Sequence, residues 1–322
     1  MILSKYYNYS LDDFVDLYKN IYKPPNVTLK SFKNNLSRIE KIYKKKIKDL
    51  NLEFIDNIND VIKKLEENTY SQNTIYSTVA TISKIATIID SPLSTINAIR
   101  KKLFDLREQK KEIEIENRKT LKESENWIDL DKILEKLDEF MDLYLSGKMK
   151  KNEFIGFLLL NLFTRQPPVR IGNYLTCLVK REEYNADENY NKNYNYLFIH
   201  ENTYIFVFYK YKTAKFYGEK IQLIEDEKIN ELLDLYFMEY NDLDENKYFL
   251  ISNEGNELIQ THVTKILKHI TEKLFSKSFS IDLIRHIYIT SFLNKNPSLK
   301  NKLELASEMN HSLYLQNIYN KI

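Results

Sequence analysis

A mainly helical chain carrying one small antiparallel sheet is what three features of the sequence predict. Only five glycines and six prolines interrupt 322 residues. Apolar residues recur at three- and four-residue spacing through most of the length. One stretch, residues 195–224, changes to the shorter period of strands and carries turn residues between its apolar runs.

The helices come first. "TLKSFKNNLSRIEKIYKKKI" places Leu29, Phe32, Leu36, Ile39 and Tyr43 on one stripe, with lysines around it. "EFIDNINDVIKKLEEN" repeats the pattern with Phe54, Ile58, Ile62 and Leu65. "SQNTIYSTVATISKIATIID" is apolar and rich in small residues, which predicts a central helix. The next helix opens on a serine and a proline, Ser91 and Pro92, then runs into alternating charge. That charged tail, about 107–125, reads as an exposed linker. It divides the chain into residues 1–122 and 123–322.

The second part opens with "DLDKILEKLDEFMDLYL", an amphipathic helix capped by Asp129. "KNEFIGFLLLNLFTRQPPVR" is a buried helix ended by Pro167 and Pro168. Three strands follow at 195–200, 203–210 and 219–224, with Gly218 in the second turn. Five helices complete the reading, at 227–240, 259–275, 280–294, 299–309 and 313–320.

Composition narrows the function. Apolar residues make up 43% of the chain, enough for sizeable cores. The single cysteine, Cys177, excludes a disulfide framework, and no Cys/His cluster has zinc spacing. The longest apolar run, "FIGFLLLNLF", is too short to span a membrane, and the N-terminus lacks a signal-peptide core. These features predict a soluble, intracellular protein. Residues 1–122 carry 23 Lys/Arg against 16 Asp/Glu, and the remainder 25 against 30. A basic first domain suits a polyanion such as nucleic acid, although a solvated helical surface explains charge alone equally well. Arginine is scarce, eight against forty lysines. Each arginine is therefore informative, because its planar fork grips phosphate in a way lysine cannot copy.

Four short pieces of the second part form a constellation. Arg170 follows the double proline and begins a helix. Lys212 lies between two strands, with Lys215 and Lys220 nearby. Arg285 sits inside an apolar helix beside His286, where a buried guanidinium needs an anion. His311 and Tyr319 close the chain within "MNHSLYLQNIY". Taken singly, a surface charge, a hairpin lysine or a capping-region histidine would be ordinary.

Their order and spacing, carried by "VRIGNYL", "YKTAK", "LIRHIYIT" and "NHS…Y", resemble the catalytic domain of the tyrosine recombinase (phage-integrase) superfamily. The resemblance covers about residues 125–322. It is most similar to the recombinases of large eukaryotic DNA viruses and mobile elements. It implies a helical, core-binding-like DNA-binding domain at 1–122 and a mixed α+β catalytic domain at 123–322. The implied reaction is cutting and rejoining of double-stranded DNA through a 3′-phosphotyrosine intermediate, at DNA inside the cell. Arg170, Arg285 and His311 would hold the phosphate oxygens as charge builds on them. Tyr319 would attack phosphorus, and Lys212 would protonate the leaving 5′ oxygen, with Lys220 as the second choice. Neither metal nor cofactor is needed for such chemistry.

Two positions depart from the family pattern. Asp282 stands where histidine is usual, three residues before the second arginine, and Asn173 replaces an acidic residue. A carboxylate is repelled by phosphate, so Asp282 is expected beside the tyrosine hydroxyl, where it would accept the proton. A type IB topoisomerase, a telomere resolvase and a catalytically weakened DNA-binding relative are the alternatives. Only three residues follow Tyr319, about 10 Å of extended chain. The expectation is a protein monomeric in solution and tetrameric on DNA.

Overall fold

Two main apolar cores divide the chain into compact units, Met1–Glu116 and Asn117–Ile322. The structure, a computed structural model, describes residue 6, residues 8–241 and residues 247–321. The linker reading places the boundary at 122/123; the two units divide slightly earlier.

The first unit is helical throughout its described residues. α1 (Leu11–Tyr22) starts at a capping box, in which Ser10 and Asp13 satisfy each other's backbone N–H groups. α2 (Asn26–Tyr43) buries Phe32, Leu36 and Ile39 as its stripe requires. The segment expected to form one helix from Glu53 is two, α3 (Glu53–Asp56) and α4 (Ile58–Glu67). Asn57 breaks it by leaving helical geometry, at φ −108° and ψ 54°. α5 (Gln72–Ile88) is central, packing against α1, α2, α4 and α6 (Leu93–Ile115). Its small residues leave room for polar stitching: the buried amide of Asn35 donates to Ser77 Oγ at 2.9 Å and Thr81 Oγ1 at 2.8 Å. Pro92, rather than Ser91, occupies the cap position of α6.

The second unit begins with α7 (Leu121–Asn126), where the sequence suggests a loose linker. Thr120 and Glu123 form a capping box that nucleates this short helix. α8 (Leu130–Leu145) follows Asp129, whose carboxylate accepts from Trp127 Nε1 instead of capping the helix. α9 (Lys151–Thr164) is the apolar axle, with every residue from Phe154 to Thr164 buried. It stops before Pro167, since the residue ahead of a proline is driven out of helical geometry. Then come α10 (Ile171–Leu175), β1 (Cys177–Lys180), β2 (Asn195–His200), β3 (Thr203–Phe208), the single turn α11 (Ala214–Tyr217) and β4 (Lys220–Leu223). α12 (Glu227–Glu239), α13 (Gln260–Phe275), α14 (Ile281–Asn294), α15 (Leu299–Glu308) and α16 (Leu313–Tyr319) complete the unit. α8, α12, α13 and α14 all pack on α9. The sheet order is β1-β2-β3-β4. β2, β3 and β4 form the expected antiparallel meander, but β1 runs parallel to β2, so the sheet is mixed.

Candidate active site

A double proline, a buried helix and a left-handed turn bring the candidate residues together. Pro167 and Pro168 hold the chain extended into Arg170, which caps α10 and is half-buried. Arg285 lies in the middle of α14, only 1% exposed. Between α15 and α16, Asn310 takes a positive φ of 56°, a conformation asparagine tolerates better than most residues. Here the carbonyls of Met309 and Asn310 meet the two arginines. Arg285 Nη2 lies 3.4 Å from Met309 O, and Arg170 Nη1 lies 3.5 Å from Asn310 O. Both contacts are long for hydrogen bonds.

His311 follows that turn and is 2% exposed. Its Nδ1 lies 3.4 Å from Arg285 Nη2. A guanidinium can only donate, so Nδ1 is the acceptor and Nε2 carries the proton. Burial, then the charges of Arg285 and Arg170, push its pKa down to about 3. The ring is therefore neutral near pH 7. Its Nε2 and Arg285 Nε are both buried without a hydrogen-bond partner among the described residues. A buried N–H donor left without an acceptor on each of two touching side chains is suited to an anion. Burial also lowers the pKa of Arg285, with Tyr319 and Asp282 opposing and Arg170 reinforcing the effect.

Ser312 caps α16 by accepting from Leu315 N at 3.3 Å, which starts the helix that ends in Tyr319. The Tyr319 ring sits 5.4 Å from the Arg285 guanidinium and edge-on to His311 at 5.6 Å between ring centroids. It also contacts the His286 ring at 4.8 Å. Arg170, Arg285, His311 and Tyr319 thus gather about the α15–α16 turn, although they come from α10, α14, that turn and α16.

The lysines flank this turn. Lys212 is exposed and shares a groove with Arg170, Asn173, Lys210, Ser280 and Asp282. Its neighbour Thr213 donates from Oγ1 to Asn310 O at 3.1 Å, which ties the hairpin to the site. Lys220 is half-buried on the other side, donating to Ser307 Oγ of α15 at 2.8 Å. Lys215 is exposed. Asp282 is exposed on the first turn of α14, in the groove with Arg170 and Lys212, and its charge is felt by Arg285 and His286.

Two positions of consequence escape the sequence reading. Asn195 opens β2 fully buried, and its side chain makes five hydrogen bonds. Its Nδ2 donates to Asn173 O, Thr176 Oγ1 and Lys210 O, and its Oδ1 accepts from Tyr209 N and Lys210 N. The last two bonds end β3 at Phe208, where the sequence predicts strand to 210, and anchor the chain leading to Lys212. The second is Glu123, whose carboxylate meets His286. The capping signature Thr120-x-x-Glu123 was legible; its partner in α14 was not.

No protein-family model matches the sequence, and neither does any curated protein. Solved structures do. XerH site-specific recombinase bound to palindromic difH substrate, in a post-cleavage complex, is similar over 96% of this chain and 80% of its own, with TM-score 0.56 and 14% identity. XerH in a pre-cleavage complex gives TM-score 0.49 at 15% identity, over 98% of this chain and 81% of its own. XerA recombinase gives 0.40 at 13%, over 97% and 93%. At such identity the post-cleavage XerH likeness speaks for architecture: this chain has the fold of a tyrosine recombinase.

Proposed function

We propose that this protein is a site-specific DNA recombinase that cuts and reseals duplex DNA through a tyrosine-linked 3′ phosphate. One observation carries the reading: Arg285 and His311 meet beside the Tyr319 ring, with Arg170 on the adjoining Asn310 carbonyl and buried N–H donors unsatisfied. In-line attack by the Tyr319 oxygen on phosphorus, its phenolic proton passing to solvent, forms the phosphotyrosine bond and breaks the bond to the 5′ oxygen. The negative charge that builds on the non-bridging oxygens falls to the two guanidiniums and the His311 Nε2–H. Lys212 supplies the proton for the 5′ oxygen, and Lys220 holds α15. Reversal by a 5′ hydroxyl reseals the strand without an outside energy source.

The partner is double-stranded DNA. Its phosphates supply most of the affinity, so binding weakens steeply with salt. Integration or excision of a mobile element is the biological setting we assign, with one copy in solution and four on a synapsed pair of duplexes. The packing of α16 on α14 and α15 of its own chain supports the monomer.

A pool of nicked duplexes randomised on both sides of the nick tests the reaction. Cleavage near a nick loses the short leaving strand and traps the covalent adduct. The wild-type chain should form an adduct that survives denaturation, and Tyr319→Phe should bind the pool but form none. Binding without any adduct would identify a DNA-binding relative. An adduct formed normally by Tyr319→Phe would move the chemistry to another tyrosine.

A further inference from the structure

The Glu123 carboxylate is committed twice. Its Oε2 accepts from Thr120 N at 2.8 Å, closing the capping box of α7, while its Oε1 lies 2.7 Å from His286 Nδ1. The side chains are only 17% and 15% exposed. Placing a carboxylate and an imidazole in so little water costs desolvation energy, which anchoring alone does not require. The segment is held without them. Lys277 Nζ donates to Glu125 O at 2.6 Å, and Ser278 N donates to Asn126 Oδ1 at 2.8 Å.

What the pair adds is direction. His286 follows Arg285 on α14, and its ring lies against Tyr319 at 4.8 Å with a 51° tilt. The charges around it are Glu123 on α7, Asp282 on its own helix and Lys321 beyond α16. Burial lowers its pKa more than Glu123 raises it, so a neutral ring donates from Nδ1 to a carboxylate. Burial raises the pKa of Glu123, but bonds from the Thr120 backbone and hydroxyl and from His286 outweigh it and hold the carboxylate ionised. An imidazole bonded this way has a fixed tautomer and a fixed plane, as second-layer carboxylates impose on histidines elsewhere.

We infer that Glu123 and His286 are positioning residues for Tyr319: the carboxylate sets the imidazole plane, and the imidazole sets the phenol ring beside Arg285 and His311. The inference rests on Tyr319 being the nucleophile. A ring packed against both His311 and His286 has little freedom to swing its oxygen away from phosphorus. Misplacing a nucleophile by a fraction of its bond-forming distance slows attack without weakening substrate binding.

Four variants test this on the nicked-duplex pool, with adduct rate and duplex affinity measured separately. His286→Asn keeps a donor for Glu123 but loses the ring. Glu123→Ala loses the carboxylate but keeps the Thr120 hydroxyl on the residue-123 backbone. Each should slow adduct formation about tenfold or more at unchanged affinity. Glu123→Gln, which retains an acceptor and the capping geometry, should recover most of the rate. Thr120→Ala loosens α7 but leaves the residue-120 N–H and the His286 ring on the Glu123 carboxylate, and should react like wild type. A wild-type rate in His286→Asn or Glu123→Ala overturns the inference, and so does an equal loss in Thr120→Ala, which would trace the effect to helix stability.

A DNA-free measurement keeps this separate from the proposed reaction. In protein carrying 13Cζ-tyrosine, the Tyr319 signal is the one missing from Tyr319→Phe. It should shift in Glu123→Ala and His286→Asn and stay in place in Thr120→Ala. An unmoved signal overturns the inference whether or not DNA is cut. No adduct with wild type, alongside the expected shifts, sinks the recombinase reading and with it the catalytic purpose of the pair, leaving only its hold on the Tyr319 ring.

Discussion

The two sides of the candidate site are built on opposite principles. On one side, Arg285 and His311 are almost completely buried, and their orientation is dictated by packing against α15 and α16. On the other, Lys212 and the turn at 215–219 stand in solvent, with Phe216 85% exposed. The buried side can recognise charge strongly, because no water competes there and no reorganisation is needed. It does so at a cost to folding, since a guanidinium has been desolvated without a carboxylate partner. The exposed side costs nothing in desolvation and is free to follow a leaving group. The contrast predicts that damage to the buried side is catalytic but stabilising, and that damage to the hairpin can be repaired by the substrate.

Arg285→Met gives the largest expected effect. Adduct formation should fall about a thousandfold, while stability rises by about 1–2 kcal/mol as an uncompensated buried charge is removed. Urea melts beside adduct assays check both directions. A mutant that loses stability would show that Arg285 holds the core together, and the contrast would break.

Asn195→Ala attacks the hairpin at its base. It strips partners from two backbone N–H groups and two carbonyls, for a cost of about 3 kcal/mol. The urea midpoint measures it. Lys212→Ala should slow cleavage about a hundredfold, with recovery on a 5′-phosphorothiolate substrate, whose sulfur leaves without needing the proton. Recovery by Lys220→Ala instead would exchange the two lysines' roles.

The smallest effect is a pH slope that belongs to the buried side. His311 has a folded pKa of about 3 against an ordinary 6.5. Between those values the unfolded chain holds a proton that the folded chain refuses. Stability is therefore complete above pH 6.5 and is lost as pH falls toward 3, by about 1 kcal/mol per pH unit. His286 is shifted in the same direction. Melts at pH 7 and pH 5 should show the slope, and His311→Gln should flatten it. The hairpin contains no histidine and contributes nothing to this slope.

How much of this the sequence carried depends on the range of the contact involved. Helices with a strong stripe or a clear cap were legible to within a residue or two, as α13, α14 and α16 show. Asn57 stops one helix through a local backbone choice that periodicity cannot register. β1 was missed because four residues alternating buried and half-buried carry too little pattern, and it is pairing with β2 that makes it a strand. For the site, order and spacing selected Arg170, Arg285, His311 and Tyr319, and the fold brings them together. The Glu123–His286 contact joins residues 163 positions apart, and no periodicity encodes it. Asn195 looked like a strand residue in a chain full of asparagines, and only its five partners distinguish it.

The oxygens that Arg170, Thr213 and Arg285 face at Met309 and Asn310 are main-chain atoms. No point mutation can delete a carbonyl, so this portion of the site is inherited with the turn and leaves no trace in residue identity. Evolution can alter it only by changing the turn itself. Its vulnerable point is the left-handed residue, where asparagine or glycine is tolerated and a β-branched side chain is strained by about 1–2 kcal/mol. A relative of this chain could therefore replace Asn310 with glycine and keep the same oxygens facing its arginines. A relative with valine there would keep every residue of the site and lose the geometry that gathers them.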